Sequence, residues 1–326
     1  MWLPLLTLLI VNSVSTIHAS AKEDQTLHSS IGPTSTEEAG VLWKKGNQAF
    51  EEKKYPEAVR SLERLIHRYP ASAHFFEAHR LLGIAHLENH EPHLAIVPLK
   101  DFVEVERKSS AGLQTRLALG RALLDLKKFH ETLLLAEELL VEKGTSNEVS
   151  IAALLMKARA LMGLNEDARA TQSLDSAKVK LEAQKEPSLP LKPLKGQAAW
   201  LELKLKIRTC EKFPTKGSLT EEQIRNQLNR RGTCLSEASL LHLKTLEAGD
   251  LDWGRQSALE LSSSFQDYTK ACKNPSNPPP LARPEKRTKT QLKQYRSELV
   301  QLLQKECAEK REKAETLLLS KKEKSP

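Results

Sequence analysis

The stretch LWKKGNQAFEEKKYPEAVRSLERLIHRYP, Leu42 to Pro70, decides the fold of this 326-residue chain. It holds a small residue at Gly46, a solvated charged break at Glu51-Glu52-Lys53-Lys54, an aromatic at Tyr55, an alanine at Ala58 and a closing Pro70. A small residue on one helix lets a second helix approach closely, and an alanine on the second helix meets it. Proline ends that second helix because it has no backbone N–H to donate. The stretch therefore reads as a helical hairpin. Outward from it, Gly46, Gly83 and Gly120 fall at an equal step, and each is followed twelve residues later by Ala58, Ala95 or Thr132. A unit recurring at this length implies a repeat array. Stacked helical repeats make surfaces that hold other molecules and rarely make reaction centres.

These residues resemble the tetratricopeptide repeat (TPR). With Ala39 as position one, Gly46 matches the small residue at position eight, Tyr55 the aromatic at seventeen, Ala58 the alanine at twenty and Pro70 the proline at thirty-two. The frame returns near Phe76 with Gly83 and Ala95, and near Leu113 with Gly120 and Phe129. A weaker fourth copy begins at Val149, with Met156 in the glycine's place and Ala168 at the alanine position. The resemblance covers about half the chain, as repeats 39–72, 76–109, 113–146 and 149–182. It implies an all-α fold in which a right-handed helical solenoid is followed by a smaller helical domain and a long C-terminal helix. It also implies a concave groove lined by positions five, nine and twelve. Those are Trp43, Asn47 and Phe50 in the first copy, and Arg80, Ile84 and Leu87 in the second. The third contributes Leu117, Arg121 and Leu124, and the fourth Lys157 flanked by Ala153 and Ala160. Apolar positions with a few cations suit a peptide carrying apolar anchors and an acidic group. The family's clamp for a C-terminal carboxylate is matched at Asn47 and departed from at Trp43 and Ile84.

Composition points the same way. Leu, Ala, Glu and Lys dominate while aromatics and glycines are few, a usage that favours helix. The first residues, MWLPLLTLLIVNSVSTIHASA, are an apolar stretch ending in the small-x-small triplet Ala19-Ser20-Ala21. They read as a signal peptide, 1–21, cleaved after Ala21, although no Lys or Arg precedes the apolar core. Its apolar part is too short to span a bilayer, so no transmembrane segment is expected once the signal is removed. Residues 22–38 read as a disordered linker. Residues 22–185 are nearly charge-balanced, with 23 basic and 24 acidic residues, whereas 186–326 carry 27 basic and 18 acidic. A basic region on an exported protein suits an anionic envelope surface. Export and the lack of interleaved aromatics argue against nucleic acid.

The second half resembles no family. KEPSLPLKPLKG breaks any helix, so 183–195 reads as a Pro-rich linker, 196–273 as a helical domain, 274–284 as a second Pro-rich linker and 285–322 as a C-terminal helix. Leu292, Tyr295, Leu299, Leu302 and Leu303 give that last helix an apolar stripe. The stripe is expected to vanish from Glu306 to Lys313, leaving the end to project. All four cysteines lie in this half, and an even count in an exported chain favours two disulfides. Three pairings are possible. Proximity in sequence favours Cys210–Cys234 and Cys272–Cys307.

The one cluster that invites a metal is His79, His86, His90 and His93, with His86 and His90 four apart. HLENH does not follow the His-Glu-x-x-His order of zinc peptidases, and the repeat frame makes these core and turn residues. No glycine-rich phosphate loop or GxSxG occurs. The expectation is a non-enzymatic exported scaffold without metal or cofactor, whose groove binds an envelope protein or peptide. Export and spacing are similar to those of bacterial envelope TPR proteins of the outer-membrane assembly and Tol-Pal-associated types. The alternatives are an anionic-lipid or cell-wall-polymer binding module in the basic half, and a metal-dependent enzyme built on the histidines.

Overall fold

Backbone turns, more than side chains, carry the repeat. The computed structural model describes residues 33–184, 191–212, 221–273 and 289–322, and among these it is helical with short turns and no strand. The helices are α1 (Pro33–Glu51), α2 (Tyr55–Arg68), α3 (Phe75–Glu88), α4 (Pro92–Glu106), α5 (Ser110–Asp125), α6 (Phe129–Val141), α7 (Asn147–Gly163), α8 (Asp167–Glu182), α9 (Leu191–Glu211), α10 (Glu221–Glu247), α11 (Leu251–Lys273) and α12 (Lys289–Lys322). Lys53, His90, Lys127 and Asn165 have φ of 58°, 61°, 57° and 63°, at steps of 37, 37 and 38 residues. The amide after each, on Lys54, Glu91, Lys128 and Glu166, donates to the carbonyl five residues earlier at 2.8–2.9 Å. A left-handed residue here lets the last carbonyls of one helix keep partners while the chain reverses into the next.

Counted from these turns, the fourth copy shifts by two residues. Its small position falls on Ala158 and its alanine position on Ala170, both fully buried. Ala168, expected there, is exposed. The extra length sits in the connection before α7, where Gly144 has φ of 80°, and α7 has no glycine at that position to set the register. Met156 has a different role. A β-carbon on Gly120 would stand 1.9 Å from its sulfur, so Met156 fills the space that Gly120 leaves.

The chain divides into two compact units, Met1–Ala78 and His79–Pro326. In the first, α1 and α2 form a hairpin over buried Ala58, Leu62 and Leu65. A β-carbon on Gly46 would meet Leu62 at 2.9 Å. The helix α1 starts at Pro33, inside the linker expected over 22–38. Proline suits a first helical turn, and the Tyr69 hydroxyl donates to Glu38 in the segment so gained. Residues 1–32, with the expected signal and Ala21, lie outside the described residues.

In the second unit, apolar clusters follow one another along the chain. Leu87, Ala95, Leu99, Leu119, Ala122 and Leu123 form one. Leu124, Ala136, Leu139, Val149, Ala153 and Met156 belong to the next. A third joins Ile151, Leu155, Leu161, Ala170 and Leu174 to Leu191, Ala198 and Leu201 of α9. The expected linker 183–195 is thus helical from Leu191, and its helix packs into the same core as α7 and α8. Helices α5 and α7 touch, as do α7 and α9, and α9 and α11. Among the described residues of this unit, one Lys, Arg, Asp or Glu side chain is buried. Arg116 is 0% exposed and pairs with Glu138 at 3.3 Å and Glu142 at 3.2 Å, the arrangement a buried cation requires.

Arg208 ties α9 to the fourth turn. Its guanidinium donates to the Met162 carbonyl and to Asn165 Oδ1, both at 2.6 Å, and its Nε lies 3.2 Å from Asp167. Two residues on, Cys210 is bonded to Cys234 of α10, and Cys272 of α11 to Cys307 of α12. Both bridges lie in a core with Leu203, Ile207, Leu235 and Tyr268. Such cross-links suit an oxidising, exported environment. The stripe on α12 does not end at Glu306. Leu299, Leu303, Cys307 and Ala314 are buried, and the Lys310 carbonyl accepts from Ser236 of α10 at 3.2 Å. Small residues at three- and four-residue intervals carry the packed face through the charged segment, with Cys307 bridged to α11 and Ala314 beside it. Leu302, expected in the stripe, is partly exposed; the side chains of Leu292 and Tyr295 and residues 285–288 lie outside the described residues. No helix among the described residues is long and apolar enough to cross a membrane.

Candidate functional site

Each residue expected in the groove can be located within its own unit. In the first, Trp43 stacks flat on His74, ring centroids 4.7 Å apart and planes within 5°. Phe50 packs edge-on against Tyr55 at 5.9 Å, and Asn47 is half-buried between them in sequence. Both aromatic anchors are therefore engaged by residues of the same unit.

In the second unit, Leu87 and Leu124 are 3% and 8% exposed. Ile84 and Leu117 pack against the same clusters. Leu87 and Leu124 are core residues, and Ile84 and Leu117 are partly buried beside them. Lys157 is turned toward α6, with its Nζ 2.8 Å from Glu137. The two-residue shift of the fourth copy explains this, since it moves the equivalent position to Arg159. Arg80 is half-buried.

What remains on the face shared by α3, α5 and α7 is a ladder of ion pairs. Arg121, six residues before its turn, lies 2.5 Å from Glu88, two residues before the preceding turn. Arg159 stands in the same relation to Asp125, at 4.0 Å. Beyond Arg159 the ladder ends in aromatics. Trp200 of α9 and Trp253 of α11 have centroids 4.9 Å apart. The Arg159 guanidinium stands 5.7 Å from one ring and 5.9 Å from the other, a distance at which a cation is drawn to an indole face. On Trp200 a second cation, Lys204, lies 5.0 Å from the ring centroid and 2.5 Å from Glu260. Burial pulls the Arg159 guanidinium below its ordinary value, and Asp125 opposes that pull. Sequence reasoning missed Arg159 and both indoles. The signal that could have found them was the 38-residue interval between Arg121 and Arg159, visible only once the fourth turn is placed at Asn165.

The histidines are spread over turn and core. His90 is itself the left-handed turn residue, and His93 lies in the first turn of α4. His86 Nδ1 is 2.9 Å from Glu91, and His79 Nδ1 is 3.2 Å from Asp101. Hydrogen bonds from Asn89 and then His86 hold the Glu91 carboxyl below its usual range. Among the described residues no group of three or more His, Cys, Asp or Glu side chains is placed to hold a metal.

Compared with known proteins, the chain matches no family model and no curated protein.

Proposed function

We propose that this chain is an exported, non-catalytic scaffold of the TPR type, a right-handed solenoid that holds a protein or peptide of the cell envelope. In a two-membrane bacterium its place is the periplasm. One observation carries the reading: the left-handed turn recurs with the same hydrogen bonds at steps of 37, 37 and 38 residues. Contacts from α5 to α7, α7 to α9 and α9 to α11 support it, since equivalent helices lie side by side in a solenoid. The two disulfides fit export.

The recognition surface is the ladder. With Leu87 and Leu124 withdrawn into the core, the side chains offered are exposed Arg121 and, partly, Arg159 and Trp253, while Trp200 is buried beneath them. Cations and tryptophans are the residue types that anchor protein interfaces. The test is cross-linked capture from the native envelope with the full chain as bait. A partner held by the wild type should be lost from Arg121→Glu/Arg159→Glu and kept by Val179→Glu, which alters an exposed site on α8. Equal recovery by all three would reject the ladder as the contact.

A second reading has one observation in its favour. A groove of about 330 Å³ between α8 and α9 is lined by Lys178, Lys195 and Lys244 together with Glu182 and Glu202, and among the described residues only Lys178 of the three has a carboxylate partner, Glu202 at 2.9 Å. Under this reading the basic half grips anionic lipid or cell-wall polymer. Salt-sensitive sedimentation with envelope membranes that weakens in Lys195→Glu/Lys244→Glu would support it. Sedimentation indifferent to the pair would count against it.

A further inference from the structure

A cavity of about 310 Å³ opens among α10, α11 and α12, in helices that the ladder does not use. Its walls are apolar at Ala258, Leu261, Phe265 and Ala314, and His242, Ser262, Gln266 and Arg311 supply polar edges. The Cys272–Cys307 bridge joins α11 to α12 about two turns from Phe265 and Ala314, so the walls are preformed, as ligand sites usually are.

The hydrogen bonds around His242 settle what that edge offers. Ser257 is fully buried, and its hydroxyl donates to the Gly254 carbonyl at 2.8 Å. A serine has one hydroxyl proton. With the proton assigned to that carbonyl, Ser257 Oγ accepts from His242 Nδ1, 2.7 Å away. Burial also lowers the imidazole below its ordinary value, which keeps the ring neutral near pH 7. A neutral imidazole that donates from Nδ1 presents Nε2 as a lone-pair acceptor. Nε2 has no hydrogen-bond partner among the described residues. An acceptor at the edge of an apolar cavity takes a donor and repels a carboxylate. Arg311, which also lines the cavity, is engaged in an interaction of its own.

We infer that this cavity is a binding site for a neutral phenol, its ring among Leu261, Phe265 and Ala314 and its hydroxyl donating to His242 Nε2. The phenol of a small free molecule and that of a tyrosine in a partner peptide share this chemistry, and the experiment separates them.

Calorimetric titration of the oxidised full chain with p-cresol should give saturable one-site binding. 4-Methylanisole, the same ring without the donor, should bind about tenfold more weakly. His242→Phe should make the two probes equal. Because that variant changes a packed ring, Ser262→Trp provides a second reading: position 262 is exposed at the rim, and an indole there should block p-cresol with the helical circular dichroism unchanged. Acetyl-Gly-Gly-Tyr-Gly-Gly-amide binding more tightly than p-cresol assigns the site to a peptide, and weaker binding assigns it to a free phenol. The proposal is overturned if p-cresol does not saturate, if 4-methylanisole or p-toluate binds as well, or if Ser262→Trp leaves affinity intact.

Discussion

At the residue scale, the turns hold a cost that can be measured. Lys53, His90 and Lys127 carry a β-carbon into left-handed space, which disfavours each by about 1–2 kcal/mol. Glycine escapes that penalty and gives some of it back as chain entropy. Lys127→Gly should therefore raise stability by about 0.5–1 kcal/mol, read as a higher urea midpoint; a lower midpoint would show that the lysine side chain contributes more than it strains. The array's glycines should differ among themselves. A β-carbon on Gly83 would stand 2.5 Å from Leu99 Cγ and 3.2 Å from its backbone nitrogen, while on Gly120 it would meet the flexible thioether of Met156. Gly83→Ala should cost about 1–3 kcal/mol by overpacking, and Gly120→Ala clearly less because Met156 can move aside. Equal losses would contradict the contacts that distinguish them.

Tyr268 belongs to the same scale. Burial pushes its hydroxyl up to about 12 from an ordinary 10. A raised value means the folded chain resists losing this proton, so the associated stability is intact below pH 10 and is lost as pH rises from 10 toward 12. Absorbance titration of the four tyrosines should show a late component that disappears in Tyr268→Phe. The same substitution should flatten the alkaline fall in stability, and an unchanged titration curve would remove the argument.

At the element scale, much is legible in the sequence and some is not. The hairpin of α1 and α2 follows from Gly46, Tyr55, Ala58 and Pro70, whose effects act within one or two turns of the chain. The pairing of four cysteines was favoured by nearness in sequence, and the bridges Cys210–Cys234 and Cys272–Cys307 are the ones found. The fourth copy resisted because Met156 looks like a substituted glycine position when only spacing is available. Its true place is read from Asn165 and from buried Ala158 and Ala170. The packed length of α12 was hidden for a related reason. Cys307 and Ala314 are small, and whether a small residue is buried depends on how near the neighbouring helices come.

The bridges close loops of 24 and 35 residues, and each should contribute about 3–4 kcal/mol by restricting the unfolded chain. Reduction should accordingly raise amide exchange in α9–α12 and leave the α1–α2 hairpin, which holds no cysteine, as protected as before. Protection lost evenly along the chain would contradict a local role.

At the scale of the whole molecule, the division of charge does not coincide with a division of structure. The basic half begins near residue 186, yet Leu191, Ala198 and Leu201 lie in one core with Leu155, Leu161 and Leu174. A fragment spanning 186–326 would expose that apolar face to water. It should be less stable than the same residues in the full chain and prone to self-association, as sedimentation would show. A monomeric fragment with full-chain thermal stability would restore the boundary at 183–195.

What the sequence by itself determined is the helical class, the hairpin unit, its recurrence and the cysteine pairing that proximity favoured, because these rest on chain-local chemistry: helix propensity, a small residue facing an alanine, a proline that cannot donate, loops short enough to close. Only the tertiary structure decided which of the residues expected in a groove stay available and which are absorbed into the core. Leu87 and Leu124 carry the same side chain as any exposed leucine, and Arg121 and Arg159 find Glu88 and Asp125 only after the turns bring residues more than thirty positions apart side by side. Burial is a property of neighbours, and the sequence does not order its residues by nearness in space.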